Sequence, residues 1–126
     1  GIICHNQKAL NYHYYFIQED QVEKEHIWKY FEERESLELN LRLVDLEDGI
    51  YKMQVYRLNE QSGSVLDIWR DMGFEYDLSR NDIKYFLRVC EPKLIIHKQE
   101  VKDQVLDIHI TLSANEIAFI RLRKVF

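Results

Sequence analysis

Hydrophobic and polar positions alternate along much of the chain with the period of two that is typical of β-strands. The alternation is strict in SLELNLRLV, and it returns in IYKMQVYRLN, KLIIHKQEV, QVLDIHITL and EIAFIRLRKVF. The aromatic and β-branched segments IICH and YHYYFI predict two further short strands near the N-terminus. Asp48 and Gly49, between the first two alternating segments, predict a hairpin that joins them.

Three segments have the wider spacing of amphipathic helices. The first is QVEKEHIWKYFEERE, which Asp20 can cap. The second is SVLDIWRDMG, which Ser62 or Ser64 can cap and which Gly73 can end in a left-handed conformation. The third is LSRNDIKYFLRVCEP, where Ser79 is the predicted N-cap. The faces expected to be buried are Val65, Leu66, Trp69 and Met72 in the second helix, and Ile83, Phe86, Leu87 and Cys90 in the third.

The order of these segments is strands, helix, strands, helices, strands. Short turn-forming segments join the strands and no βαβ alternation is present, so antiparallel pairing is favoured. We therefore predict a mainly β fold, an antiparallel β-sandwich with about three short inserted helices. At 126 residues, positions 1–126 are expected to form one domain around one core.

The net charge of −5 argues against direct contact with nucleic acid, which requires a clustered basic face. No apolar run approaches the roughly 20 residues that span a bilayer. The segment GIICHNQKAL lacks the basic start and long apolar stretch of a signal peptide. A cytoplasmic protein without membrane contact is expected.

The sequence gives no motif for catalysis, a cofactor or a metal ion. Cys4 and Cys90 stand too far apart for a zinc motif and are expected to be reduced and buried. The five histidines lack metal-ligand spacing, and the glycine-rich phosphate and nucleophile-elbow motifs are missing. The carboxylates of the first helix and of the predicted hairpin turn are expected to be solvated. We therefore predict no catalytic residue, no cofactor and no metal site.

Aromatic residues supply the candidates for ligand contact. Tyr12, Tyr14 and Tyr15 could form a platform for a saccharide or pack at a domain interface. Trp69 is expected to be a buried anchor first and a ligand platform second. If it is buried, Trp69→Ala should cost roughly 3–5 kcal/mol of stability.

The stretch YRLNEQSGSVLDIWRDMG, followed by LSRNDIKYFLRVCEPKL and closed by LDIHITLSANEIAFIRLRKV, resembles the C-terminal β-domain of glycoside hydrolase family 39, the β-xylosidases and their relatives. IICHNQKALNYHYYF also looks like that family's strand leading out of the catalytic barrel. The resemblance covers nearly the whole chain. The positions that carry it are Tyr56, Arg57, Leu58, Asn59, Gly63, Ser64, Trp69, Met72 and Gly73.

The resemblance implies a structural motif made by Ser62, Gly63, Ser64, Trp69, Met72 and Gly73. The family's catalytic glutamates lie on a (β/α)₈ barrel that needs on the order of 250 residues, so none of them maps onto this chain. The resemblance thus implies a non-catalytic accessory domain of a β-xylosidase-like protein. Its partners would be the barrel, possible further copies of the chain, and a possible saccharide.

The charged segment Asp20–Glu35 is similar to versions of the domain in AraC-type transcriptional regulators, which gives one alternative. An independent carbohydrate-binding module is another.

Overall fold

A computed structural model describes residues 1–10, 21, 30–31, 34–60 and 62–126 of the chain. In these ranges it contains six strands and two helices. The elements, in chain order, are β1 (Ile2–His5), β2 (Leu37–Leu43), β3 (Gly49–Leu58), α1 (Leu66–Asp71), α2 (Arg80–Val89), β4 (Lys93–Val101), β5 (Leu106–Leu112) and β6 (Ile117–Lys124).

The strands form two antiparallel sheets in the described part of the chain. One has four strands in the order β1-β6-β3-β4, and the other pairs β2 with β5. The predicted mainly β, antiparallel, sandwich-like fold is therefore confirmed. The strand predicted in YHYYFI, and most of the helix predicted after Asp20, lie outside the described residues.

The core lies between the inward faces of the two sheets. Every second residue of β5 is buried. In β3 the inward residues Tyr51, Met53 and Val55 are buried in the same alternating way. Because side chains alternate across a strand, one face of each segment meets the core and the other faces outward. The buried core comprises Cys4, Tyr51, Met53, Val55, Val101, Leu106, Ile108, Ile110, Leu112, Ala118 and Ile120, with Leu39, Leu41 and Leu43 packed against it.

The hairpin predicted at Asp48 and Gly49 is wrong. β2 pairs with β5 along its whole length, while β3 lies between β6 and β4. The apolar faces of β2 and β3 contribute to the same core from opposite sides, which requires the two strands to lie in different sheets. The connection between them is fixed to the β4–β5 turn by two hydrogen bonds, from Leu46 N to Gln104 O (3.1 Å) and from Gln104 N to Asp48 Oδ1 (2.7 Å).

The two helices begin in different ways. Ser79 caps α2 as predicted: its Oγ accepts from Asp82 N at 3.1 Å, and its own N–H donates to Asp82 Oδ2 at 2.8 Å. The predicted serine cap of α1 is wrong, because its N-cap is Val65, whose side chain accepts no hydrogen bond. Ser64 instead makes a local turn in which its Oγ accepts from Leu66 N at 3.3 Å.

The predicted burial of the helix faces is also wrong. All residues of α1 and α2 are half-buried or exposed. Ile83 is 49% exposed and Leu87 is 69% exposed, and Cys90 is exposed rather than buried. An amphipathic pattern fixes which face of a helix is apolar, but a neighbouring surface is needed to cover that face.

Candidate interaction surfaces

The outward face of the four-stranded sheet carries a continuous group of apolar side chains. One row crosses all four strands, because Ile3 pairs with Phe119, Phe119 with Tyr56, and Tyr56 with Leu94. We call this group, with its neighbours on the same face, the apolar patch. It comprises Ile3, Tyr56, Leu58, Leu94, Ile96, Ile117 and Phe119.

The apolar patch is exposed to solvent in the described structure. Ile3 is 69% exposed, Ile96 52% and Ile117 44%. The rings of Tyr56 and Phe119 lie beside one another with centroids 6.0 Å apart, at the floor of a depression of about 380 Å³. This exposed apolar area makes the patch a candidate interaction surface.

A second site is a polar cluster where the two sheets meet. Glu116 lies just before β6 with a side chain only 3% exposed, and Arg57 donates to its Oε1 at 2.5 Å. Asn59 donates to Oε2, and Ser113 N donates to Oε1 at 3.2 Å. Arg57 also donates to the carbonyl oxygen of Thr111 at the end of β5. The cluster therefore links β3, β5 and β6.

The charge of Glu116 is stabilised by this arrangement. Burial acts to raise the pKa of the carboxyl group, but the hydrogen bonds from Asn59, Arg57 and Ser113 and the charge of Arg57 outweigh it, so the pKa lies below its usual value. Since both carboxylate oxygens accept hydrogen bonds, the group is held as a structural anion. Its geometry supports a link between the sheets rather than acid–base chemistry.

Two of the residues that carry the resemblance, Arg57 and Asn59, lie in this cluster. Their partner Glu116 was missed because the segment SANE indicates only a turn. The turn itself is present, since Glu116 N donates to Ser113 O at 3.1 Å. A buried role for Glu116 could be inferred only after β3 and β6 were known to be neighbours.

The residues 62–64 form a tight turn between β3 and α1. Asn59 N donates to Ser62 O at 2.9 Å, and Ser62 N donates back to Asn59 Oδ1 at 2.8 Å. Gly63 has φ +80°, and a Cβ atom there would collide with the side chain of Leu58. Gly73 ends α1 with φ +73°, directly after the C-cap Met72, as the sequence predicts.

Trp69 has a more local role than predicted. It is half-buried rather than part of the core. Its indole Nε1 donates to Glu75 O at 2.8 Å, and its ring packs edge-on against Phe74 and Tyr76, with centroid distances of 4.9 and 5.8 Å. Trp69 therefore holds together the segment that follows α1.

Tyr12, Tyr14 and Tyr15 lie outside the described residues, so their contact with a saccharide or another domain stays a prediction. In the part of the chain that is described, no group of three metal-ligating side chains comes together. Cys4 is buried and free, and burial raises the pKa of its thiol. No described helix is both long and apolar enough to cross a bilayer.

The fold is similar to parts of two glycoside hydrolases of known structure. A monomeric β-xylosidase from Caulobacter crescentus CB15 matches with a TM-score of 0.72 and 17% identity, over 98% of this chain and 24% of the xylosidase. A family 39 enzyme from Xanthomonas axonopodis pv. citri matches with a TM-score of 0.62 and 21% identity, over 74% of this chain and 19% of the enzyme. At these identities the likeness establishes the fold, and at that level the predicted resemblance is confirmed.

Sequence comparison points to a different group of proteins. Uncharacterized HTH-type transcriptional regulators of Staphylococcus aureus are 29% identical in strain MRSA252 and 28% identical in strain N315, in each case over 86 residues. The match covers 68% of this chain and 11% of each regulator. The matched part of the chain thus spans about a ninth of the length of these relatives. No protein-family model matches the chain.

Proposed function

We propose that this chain is a non-catalytic accessory domain of a longer polypeptide, and that the polypeptide is a helix-turn-helix transcriptional regulator. The observation that carries the proposal is that the matched part is a small share of each of these longer proteins, 24% of the β-xylosidase, 19% of the family 39 enzyme and 11% of the regulators. A regulator of this kind acts in the cytoplasm, where its DNA lies.

The regulator is favoured over the hydrolase as the parent by the identity of the matches. The regulators are 27–29% identical to the chain over 86 matched residues, whereas the β-xylosidase is 17% identical and the family 39 enzyme 21% identical over their matched parts. The buried carboxylate Glu116 also supports a structural role, because its hydrogen bonds hold it as an anion. The second candidate, an accessory domain of a β-xylosidase, keeps the support of the shared fold.

The apolar patch suggests how such a domain works. It spans four strands about 4.8 Å apart, which makes three spacings, and about 14 Å along them, a flat area of about 200 Å². Stable association of separate proteins buries about 800 Å² per partner. A patch this small is better suited to a partner held by covalent connection, where the effective concentration is on the order of millimolar. We therefore propose that the patch packs against the remainder of the same polypeptide.

The experiment is to express the 126-residue chain and the remainder of its gene product as separate proteins, and to titrate one with the other by isothermal calorimetry. We expect saturable binding that is weakened by Ile96→Gln, a change in the apolar patch. The matched control is Ile83→Gln on α2, whose side chain is 49% exposed against 52% for Ile96. Binding that is still absent at about millimolar protein, the effective concentration expected within one polypeptide, or that is equally weakened by both variants, would rule out docking through the patch.

The identity of the parent is tested separately. The complete gene product should retard its own promoter DNA in a gel and should not release the chromophore from a chromogenic xyloside. Xyloside turnover without DNA retardation would show that the β-xylosidase candidate is correct.

A further inference from the structure

Basic side chains are concentrated on the same outward sheet face, beside the apolar patch. Lys52 on β3 pairs directly with Lys98 on β4 and with Arg123 on β6. Arg121 lies two residues before Arg123 on the same face and pairs with Gln54. We call Lys52, Lys98, Arg121 and Arg123 the basic row.

These charges are not neutralised within the described part of the chain. None of the four side chains forms an ion pair with a described carboxylate, and the ammonium group of Lys98 lies 5.4 Å from the ring centroid of Phe126. The acidic residue that follows on this face of β4 is Glu100, which lies 3.5 Å from Lys102. Lys98, Arg121 and Arg123 are exposed, and Lys52 is half-buried.

The basic row is not explained by composition or by folding. The protein has 22 acidic residues against 17 lysines and arginines, so a group of four cations on one face opposes the overall balance. Like charges directly opposite one another on neighbouring strands destabilise a sheet. Three cations in one cross-strand row therefore reduce stability, which is consistent with a role in binding.

We propose that the basic row and the apolar patch together bind a protein surface in which carboxylates lie beside apolar side chains. The inference rests on the proposed docking of this domain against the remainder of its polypeptide, and it states the chemistry that the docked surface must have. Cations opposite carboxylates provide charge complementarity and set the orientation, while the apolar side chains supply most of the buried area.

The same geometry favours protein over nucleic acid as the occupant. Beside the basic row lie aliphatic side chains, Leu94, Ile96 and Ile117, which a phosphate backbone would leave uncovered. Tyr56 and Phe119 are half-buried, which leaves less ring surface for stacking on successive bases. The net charge of −5 means that the rest of the surface would repel a nucleic acid, which is a polyanion.

The first part of the test uses the whole 126-residue chain and a short peptide with a glutamate-rich half followed by a leucine-rich half. Fluorescence anisotropy should show saturable binding that weakens as salt rises. The double variant Lys52→Glu with Arg123→Glu should weaken binding about tenfold, because two attractions become repulsions. The control Lys84→Glu, on the exposed side of α2, should change binding less than twofold.

The second part separates binding from folding. Lys52→Glu places a carboxylate between Lys98 and Arg123, so we expect a higher urea midpoint than in the wild type, together with weaker binding. Substitution of a residue that served only the fold would not raise the urea midpoint while weakening binding. A lower midpoint together with unchanged binding would contradict the proposal.

The outcomes also separate this inference from the proposed function. The inference is overturned if the peptide does not bind, if the double variant binds it equally well, or if duplex DNA binds more tightly through the same residues. Docking against the remainder of the polypeptide that is sensitive to Ile96→Gln but unaffected by the double variant would leave the accessory role intact. If the chain bound neither the peptide nor the remainder of the polypeptide, both this inference and the proposed docking would be wrong.

Discussion

Glu116 receives hydrogen bonds from β3 and from the turn that precedes its own strand, through Arg57, Asn59 and Ser113. We expect Arg57→Ala to lower the free energy of unfolding by about 3–5 kcal/mol, because it leaves a buried carboxylate without its cation. The control is Arg42→Ala, which removes a pair whose side chains are each 70% exposed and should cost within about 0.5 kcal/mol. Urea unfolding followed by circular dichroism measures both. Equal, small losses would show that the cluster contributes little.

The same carboxylate should make stability depend on pH. Its pKa in the folded protein lies below the ordinary value, so its contribution is complete above the unfolded pKa and is lost as the pH falls through the folded pKa. The wild type should therefore lose more stability than Glu116→Gln when the pH is lowered from about 7 to about 3. Parallel curves for the two proteins would mean that Glu116 titrates alike in the folded and unfolded states.

Gly63 and Gly73 form a matched pair for backbone strain. Both have a left-handed conformation, but a Cβ at Gly63 would collide with Leu58, whereas a Cβ at Gly73 meets no described atom within 4 Å. We expect Gly73→Ala to cost about 1 kcal/mol from strain alone. Gly63→Ala should cost about 2–3 kcal/mol, since the collision adds to the strain. Thermal unfolding of the two variants tests this, and a larger loss at Gly73 would contradict the structure.

The segment from α1 to Tyr76 is stabilised by its own contacts. Trp69 is half-buried, and its partners Phe74, Glu75 and Tyr76 all follow it closely in sequence. Trp69→Ala should therefore cost about 1–2 kcal/mol, less than the loss expected of a core tryptophan. Amide hydrogen exchange should speed up in residues 62–76 and remain slow in β3, β5 and β6. A loss above about 3 kcal/mol, with faster exchange throughout both sheets, would show that Trp69 supports the core.

Most elements could be predicted from the sequence, because alternation and turn residues are local properties. The strands from β2 to β6 and the Ser79 cap of α2 follow directly from the residues in those segments. Pairing between strands could not be predicted in the same way. Asp48 and Gly49 indicate that the chain turns, but whether β2 then pairs with β3 or crosses to β5 depends on how two apolar faces close one core.

The interaction surfaces were less predictable than the elements. The basic row and the apolar patch depend on the register of β3 with its two neighbours, so residues about 70 positions apart, such as Lys52 and Arg123, become adjacent. No local pattern contains that information. For α1 and α2 the local pattern predicted too much burial. Their apolar spacing predicts buried faces, but the described structure leaves those faces half-buried or exposed.

At the scale of the whole molecule, the chain combines a closed core with an outward face that has no cover in the described structure. Its core is closed by two antiparallel sheets, and its buried carboxylate is fully hydrogen-bonded. By contrast, the four-stranded sheet presents apolar and basic side chains side by side. Together with the match to a small part of longer proteins, this face supports the role of an accessory domain.

The most direct test of that role is hydrogen exchange on the outward face in two contexts, the 126-residue chain alone and the same residues within the complete gene product. Docking predicts slower exchange in β4 and β6 when the remainder of the polypeptide is attached, with α2 as an internal comparison. Ile96→Gln should reduce this protection, whereas Ile83→Gln should leave it unchanged. Identical exchange of β4 and β6 in the two contexts would show that the face does not pack against the rest of the polypeptide, and the proposed accessory role would fail.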